Sequence, residues 1–359
     1  MRVCILGHGL SSLTLAKALV NQNIYVELIC QKKNQKISLS RTLGISKSNI
    51  NFFNKNIINI NKLLWKLKKI EIYTDNLKNE KLLNFDNNNQ HIFSIIKNYD
   101  LHKVLKKNLS RSKYFKKIFI SNKNLSFIKK YKLIINCNYF HNITNKYFSK
   151  KIVKKYNSFA FTTIIKHEKI LNNVATQIFT KKGPLAFLPI SDSETSIVYS
   201  IHNFTDKKKN NIEELIQTYN FKYKVKKIEK VNSFELTSLN LRSYYHNNIL
   251  AFGDLLHTIH PLAGQGFNMT IRDIKILLNI IRNKIEVGLA FDKSINIEFQ
   301  NKAKHKNLIF SYSIDMIHKF FNFEKKTKSK FLSKSIQFVF KQPHINKVFS
   351  KIADKGAIF

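Results

Sequence analysis

Two glycine-centred segments hold the residues whose types and spacing could do chemistry. The later one contains Gly253-Asp254, His257, His260-Pro261, Gly264-Gln265-Gly266 and Asn268. Gly253 ends an apolar run, Asn248 to Phe252, and lets backbone approach a ligand closely. Asp254 then offers two acceptor oxygens, suited to a polyol hydroxyl. His260-Pro261 forms a stiff turn, because proline fixes its own φ and restrains its predecessor. Gly264-Gln265-Gly266 opens a helical pattern through Ile271, Ile274 and Leu278, and backbone N–H groups at a helix start can hold negative charge. His257 and His260 are candidate acid–base groups. The competing reading makes them hydrogen-bonded histidines that fix the turn.

The earlier segment is Gly7-His8-Gly9-Leu10-Ser11-Ser12. It lies between an apolar run, Arg2 to Leu6, and a helical pattern, Leu10 to Val20. A first glycine makes the tight turn, and a second lets backbone reach a pyrophosphate resting on the helix start. Ser12 takes the third glycine position and is still small. A ribose-binding acid is expected roughly 20 residues further on. Cys30 stands there instead, Glu27 lies too early in the strand, and Gln31 or backbone is left for the ribose. Cys30 itself reads as a small apolar strand residue.

These segments need elements to position them. Arg2–Leu6, Leu10–Val20 and Ile24–Cys30 read as one strand–helix–strand unit. Ile45 to Lys107 is mixed and Asn-rich. Tyr131 to Cys137 reads as a buried strand. Phe159–Ile165, Ala175–Phe179, Ala186–Leu188 and Ser196–Ile201 alternate as antiparallel strands do. Phe267–Arg282 and much of Leu308–Phe349 read as helix. The expected organisation places nucleotide-binding pieces at 1–70, 101–157 and 241–290. Between them fall substrate-domain pieces at 71–100 and 158–240, and a helical region follows at 291–359.

Composition narrows the classes. The 359 residues carry 62 Lys+Arg against 22 Asp+Glu, a formal charge of +40. The basic residues run through the whole chain, interleaved with Asn and Ile. That distribution first suggests exposed positions drifted to lysine, and second attraction to an anionic membrane. Nucleic acid ranks last, since no aromatic RNA-binding motif accompanies the charge. Three scattered cysteines form neither a disulfide framework nor a zinc spacing, which fits a reduced compartment. No apolar stretch is long enough to span a bilayer, and the N-terminal run reads as no signal peptide.

The late segment resembles the second FAD fingerprint of the single-component aromatic hydroxylases, the para-hydroxybenzoate hydroxylase superfamily. Within it, the ubiquinone-biosynthesis hydroxylases are most similar. The shared series is Gly253-Asp254, His257, His260-Pro261, Ala263-Gly264-Gln265-Gly266, Asn268 and Arg272-Asp273. Ala175-Thr176-Gln177, Gly183 to Pro189 and Ser196 to Tyr199 also match, and Arg41 matches an arginine that reaches the flavin. The resemblance implies a mixed α/β fold: a Rossmann-like FAD-binding domain, an inserted β-sheet substrate domain and a C-terminal helical region. It implies FAD held by Gly7, Gly9, Ser11, Ser12, Arg41, Gly253, Asp254, Pro261, Gly264, Gln265, Gly266 and Asn268. It also implies hydroxylation of a polyprenyl phenol by molecular oxygen through a peroxyflavin, with NAD(P)H as donor and Pro261 beside the flavin ring. The substrate is expected near Phe187 to Pro189. A third family fingerprint, an Asp-Gly pair, reads Asn138-Tyr139 here, so another donor or a non-catalytic subunit of a quinone-synthesis complex stays open, as does another flavin oxidoreductase that does not hydroxylate. The expected location is cytoplasmic. Peripheral contact with the inner membrane face would come through Ile317 to Phe321 and Ser335 to Lys341, whose other reading is a core-facing helix with a solvated lysine face.

Overall fold

The computed structural model describes the chain except residues 31–37, 78–79, 87–90, 92, 121–129, 138–140, 203–211, 262–263, 328–332, 336 and 339–359. Gln31, the Asn138-Tyr139 pair, Ala263 and most of Ser335 to Lys341 therefore lie outside the described residues. The first elements are β1 (Arg2–Leu6), α1 (Leu10–Val20), β2 (Tyr25–Cys30), β3 (Thr42–Ser46), α2 (Lys47–Asn56), β4 (Trp65–Leu67), β5 (Lys69–Thr74) and β6 (Lys81–Asp86). There follow β7 (Phe93–Lys97), α3 (Asn98–Ser110), β8 (Phe115–Phe119), β9 (Ile134–Asn136), α4 (His141–Tyr147), β10 (Lys151–His167), β11 (Val174–Thr180), β12 (Gly183–Pro189) and β13 (Glu194–His202). The last are α5 (Ile212–Thr218), β14 (Val225–Ile228), β15 (Asn232–Leu241), β16 (Tyr245–His246), β17 (Ile249–Ala251), β18 (His257–Thr258), α6 (Gly266–Glu286) and α7 (Lys293–Thr327).

A six-stranded sheet runs in the order β16-β17-β9-β1-β2-β8. Its pairs are parallel apart from β16 on β17. Val3 to Leu6 are wholly buried. A parallel strand covered on both faces must be apolar throughout, which is why this run does not alternate. Helices α1, α2, α3 and α6 and the first turns of α7 pack the same core. The second sheet has nine strands in the order β18-β15-β10-β13-β12-β11-β5-β6, with β14 beside β10. It is antiparallel except where β11 meets β5. Phe161, Leu185, Phe187, Ile197 and Tyr199 fill one of its faces against Ile212 and Ile216 of α5. Three strands, β3-β7-β4, form a small third sheet. The fold is thus a mixed α/β one, with a Rossmann-like parallel sheet joined to a large β-sheet.

Helix α6 ties these layers together. Its apolar side buries Ile271, Ile274, Leu277, Leu278 and Ile281. Among them sits Asp273, also fully buried. Its carboxylate accepts from His257 Nε2 at 2.6 Å and from Asn307 Nδ2 at 2.9 Å, so one side chain joins β18, α6 and α7. Arg272, the preceding residue, lies 4.3 Å from the centroid of the Phe310 ring on α7. Removing the carboxylate leaves two buried polar groups without their partner, at about 1–3 kcal/mol each. Asp273→Ala is therefore expected to lower the chemical-denaturation midpoint sharply, and a midpoint equal to wild type would show that the clasp carries no stability.

Candidate active site

The turns after β1 and β17 open at the same sheet edge. Strands β1 and β17 flank β9, all three parallel, so Gly7 and Gly253 both stand at carboxyl ends of strands. Open α/β sheets bind ligands at that edge. The two segments read from the sequence are in contact there. Gly253 has φ +65°, and a Cβ added to it would lie 2.7 Å from Ser11 Cβ and 2.9 Å from Ser11 Oγ. No side chain fits in that conformation and that space at once.

Helix α1 begins at Gly9 without a side-chain cap and without an acid in its first turn. Helix α6 begins at Gln265 in the same way. Positions Gly9 and Gly266 face open space, with no atom within 4 Å of a built Cβ. Both helix starts therefore present free N–H groups beside unfilled volume, as a pyrophosphate and an anionic ring require. Asp254 is exposed, and its backbone carbonyl accepts from Thr258 Oγ1 at 3.1 Å. The donors and acceptors present fit an FAD group.

Other expected residues serve as scaffold. Ser12 is buried and its hydroxyl donates back to Gly9 O at 2.8 Å. Asn268 is fully buried, and its Oδ1 accepts from Ser46 N at 3.0 Å and Asn49 Nδ2 at 2.9 Å. Its Nδ2 donates to Gly44 O at 3.0 Å, so it fastens the start of α6 to β3 and α2. Gly44 was not singled out in the sequence. A Cβ there would meet the Phe93 ring at 2.1 Å, and Gly264 packs against its backbone. Pro261 is half-buried and accepts from Gly264 N at 3.2 Å. Arg41 stands exposed just before β3. Glu27 is occupied elsewhere, accepting from Tyr131 Oη and lying 3.8 Å from Arg2.

The histidines have separate environments. His257 is locked on Asp273. His260 is 1% exposed, and neither ring nitrogen has a partner among the described residues. Its ring packs on Tyr156 at 5.0 Å and His318 at 4.5 Å between centroids. Burial, then the fields of His318, His202 and Lys154, push it from 6.5 down to about 2. It stays neutral at physiological pH, which disfavours the acid–base reading. Burial, His202 and Lys154 likewise push His318 down to about 4, against the pull of Asp315.

The large sheet also corrects the expected substrate wall. Phe187 turns into the core with Ile197 and Tyr199. Ala186, Leu188 and Val198 lie on the opposite face and are half-buried. Ser196 of that face bonds Thr42 Oγ1 of β3 at 2.8 Å, and Leu188 packs with Leu67 and Ile95, so this face is turned toward the small β3-β7-β4 sheet.

Residues 140–286 match the family model described as FAD binding domain. The 3-demethoxyubiquinol 3-hydroxylase of Escherichia coli is 30% identical over 150 residues, covering 40% of this chain and 38% of that protein. The mitochondrial ubiquinone biosynthesis monooxygenase COQ6 of Drosophila melanogaster is 25% identical over 186 residues, covering 41% of this chain and 39% of its own. The chain carries an FAD binding domain at 140–286 and is similar to ubiquinone-biosynthesis hydroxylases over about two fifths of its length. The matched part spans about two fifths of these relatives. The likeness of fold extends further. Klebsiella pneumoniae HpxO, solved with FAD and uric acid, superposes with TM-score 0.75 at 10% identity, over 99% of this chain and 97% of that one. The p-nitrophenol 4-monooxygenase PnpA of Pseudomonas putida gives 0.76 at 10% identity, over 98% of each. FAD is the cofactor of this flavoprotein's domain.

Two outcomes follow in this flavoprotein. Gly253→Ala forces a side chain into a left-handed backbone against Ser11, at a cost of about 1–3 kcal/mol. It should weaken FAD retention measured by gel filtration, and undiminished retention would show that the two segments need not touch. Acidification should also destabilise the fold. His260 binds its proton at about 2 when folded and at 6.5 otherwise, so between those values the unfolded chain takes up more protons. The contribution is complete above 6.5 and is lost as pH falls below it. His260→Phe should flatten the drop in melting temperature between pH 7 and pH 5, whereas an unchanged slope would place the acid sensitivity elsewhere.

Proposed function

We propose that this flavoprotein is an FAD-dependent monooxygenase that hydroxylates the ring of a polyprenyl phenol intermediate in ubiquinone biosynthesis. The observation that carries the reading is the contact of Ser11, at the acid-free start of α1, with Gly253 in the turn after β17. The hydroxylases among the relatives supply the reaction class. Bound FAD would supply two-electron redox chemistry and the activation of molecular oxygen. The chain's own residues bind and orient. The start of α1, with Gly7, Gly9 and Ser11, would hold the pyrophosphate. Asp254 would accept from a hydroxyl of the cofactor's sugar chain. Pro261, Gly264, Gln265 and Gly266 would stand along the ring, where the start of α6 favours negative charge. The apolar face around Ala186, Leu188 and Val198 would receive the phenol and exclude water.

A polyprenyl substrate dissolves in a bilayer, and α7 offers a surface to meet it. Ile309, Tyr312, Met316 and Phe323 are 62%, 54%, 69% and 56% exposed. At the pitch of an α-helix they fall within roughly 60° of arc. An apolar stripe on a strongly basic chain suits peripheral contact with anionic lipid. No helix among the described residues is long and apolar enough to cross a membrane.

Cys30 in place of an acid favours one further reading, an FAD-fold subunit of a quinone-synthesis complex that receives electrons from another donor or turns over no substrate. A visible spectrum of purified protein supplied with FAD, followed by anaerobic NADPH, separates the readings. Flavin bands bleached by NADPH, with oxygen uptake on adding a short-chain polyprenyl phenol, are expected. Absent bands would overturn the FAD assignment, while bands that NADPH leaves intact would assign the electrons to another donor.

A further inference from the structure

The corner where a carboxylate would ordinarily hold the adenosine ribose is occupied by cationic and imidazole groups. Cys30 ends β2 and is 1% exposed, with its Sγ on Gly7 O at 3.7 Å, so it faces the phosphate turn and has no charge to offer. In the parallel ladder beside it, Leu28 pairs with Lys117 and Cys30 with Phe119. Paired residues of a parallel ladder share a face, so Lys117 stands on the face of Cys30. Its ammonium rests 4.7 Å from the Phe119 ring centroid. Helix α3 closes the corner from the other side. His102 Nε2 donates to His8 O at 3.1 Å, between the two turn glycines, and Lys106 follows one helical turn later. Lys106 and Lys117 are exposed, and His8 and His102 half-buried.

We propose that His8, His102, Lys106 and Lys117 form an anion-binding corner at the adenosine end of the dinucleotide site, in which the two lysines attract its phosphates by charge and the neutral imidazoles line the turn, in place of a ribose-binding carboxylate. The inference rests on the FAD-site reading and deepens it. Both imidazoles are held toward their neutral, hydrogen-bonding form, so the charge of the corner is that of Lys106 and Lys117. Burial lowers the His8 imidazole, and Lys117, His102 and Lys106 lower it further. Burial lowers His102 as well, its bond to His8 O pulls it back up, and Lys106 and Lys117 add to the fall. Burial pushes the Cys30 thiol up to about 11 while Lys117 pulls it down. Among the described residues, no carboxylate acts on any of the three. A carboxylate at the strand end accepts from a ribose hydroxyl and repels a phosphate there, whereas a cation welcomes it. The corner should therefore prefer nucleotides that carry an additional ribose phosphate.

Quenching of flavin fluorescence gives the FAD affinity directly, and displacement of FAD by 5′-AMP or adenosine 2′,5′-bisphosphate reads the corner. Wild-type protein should release FAD to the bisphosphate at lower concentration than to 5′-AMP. The double variant Lys106→Gln/Lys117→Gln should bind FAD about tenfold more weakly, as loss of charge-assisted bonds implies, and should lose the preference. Cys30→Asp should abolish the preference as well. Lys182→Gln, an exposed lysine at the β11–β12 turn, controls for general loss of charge. FAD binding with equal displacement by both nucleotides, or a double variant no weaker than Lys182→Gln, overturns the corner while the FAD site stands. Absence of FAD binding in the wild type overturns both.

Discussion

The approach of Ser11 to the backbone of Gly253 is the contact on which the rest of the site depends. It brings the turn after β1 against the turn after β17, and it exists because residue 253 has no Cβ and adopts φ +65°. Residues so far apart in sequence meet only through the strand order, in which β9 lies between β1 and β17. Helices α1 and α6 pack in one core, and each starts beside open space. Neither start carries an acid or a side-chain cap, so the positive ends of both helices stay available to a ligand. Packing thus sets the electrostatics of the site.

A second tier of contacts holds the start of α6 in place. Asn268 spends its amide on β3 and α2, and Gly264 lies against Gly44. Asp273 holds His257 from below and Asn307 from α7. Several residues of the late segment therefore act one layer behind the ligand. A segment that both touches a cofactor and is buried must divide its positions this way, because a helix start has only a few residues on its open side.

How much was legible follows from where the information lies. The β1–α1–β2 unit was readable almost to the residue, since apolar runs and glycines are local signals. Four strands of the large sheet, β10 to β13, were readable too, though β10 extends well beyond Phe159–Ile165 because pairing with β15 supports its polar first half; β5, β6, β14, β15 and β18 were not. The small β3-β7-β4 sheet was not, as its strands are short and its partners lie far apart in sequence. Gly44 was silent for a related reason: only the Phe93 ring reveals why a glycine stands there. Phe187 was misread because neighbouring residues of a strand face opposite ways, and sequence does not say which face meets the cofactor. The expected acid–base role of His260 could not be weighed without its neighbours, which are two histidines and a lysine.

Composition sharpens the reading of the glycines. The chain has nine, and Gly7, Gly9, Gly44, Gly253, Gly264 and Gly266 all stand in the two candidate turns or beside them. Lysine shows the opposite pattern, spread over the whole chain, so its abundance alone identifies no site. Position must do that work. Lys117 matters through its place on the β2–β8 ladder beside Cys30, and Lys106 through its turn of α3 beside His102. In so basic a chain the informative feature is the missing carboxylate: where an acid would have balanced the local field, Cys30 leaves it unopposed. A dinucleotide brings its own negative charge, so a corner that lacks an acid gains by Coulomb attraction what it loses in a ribose hydrogen bond.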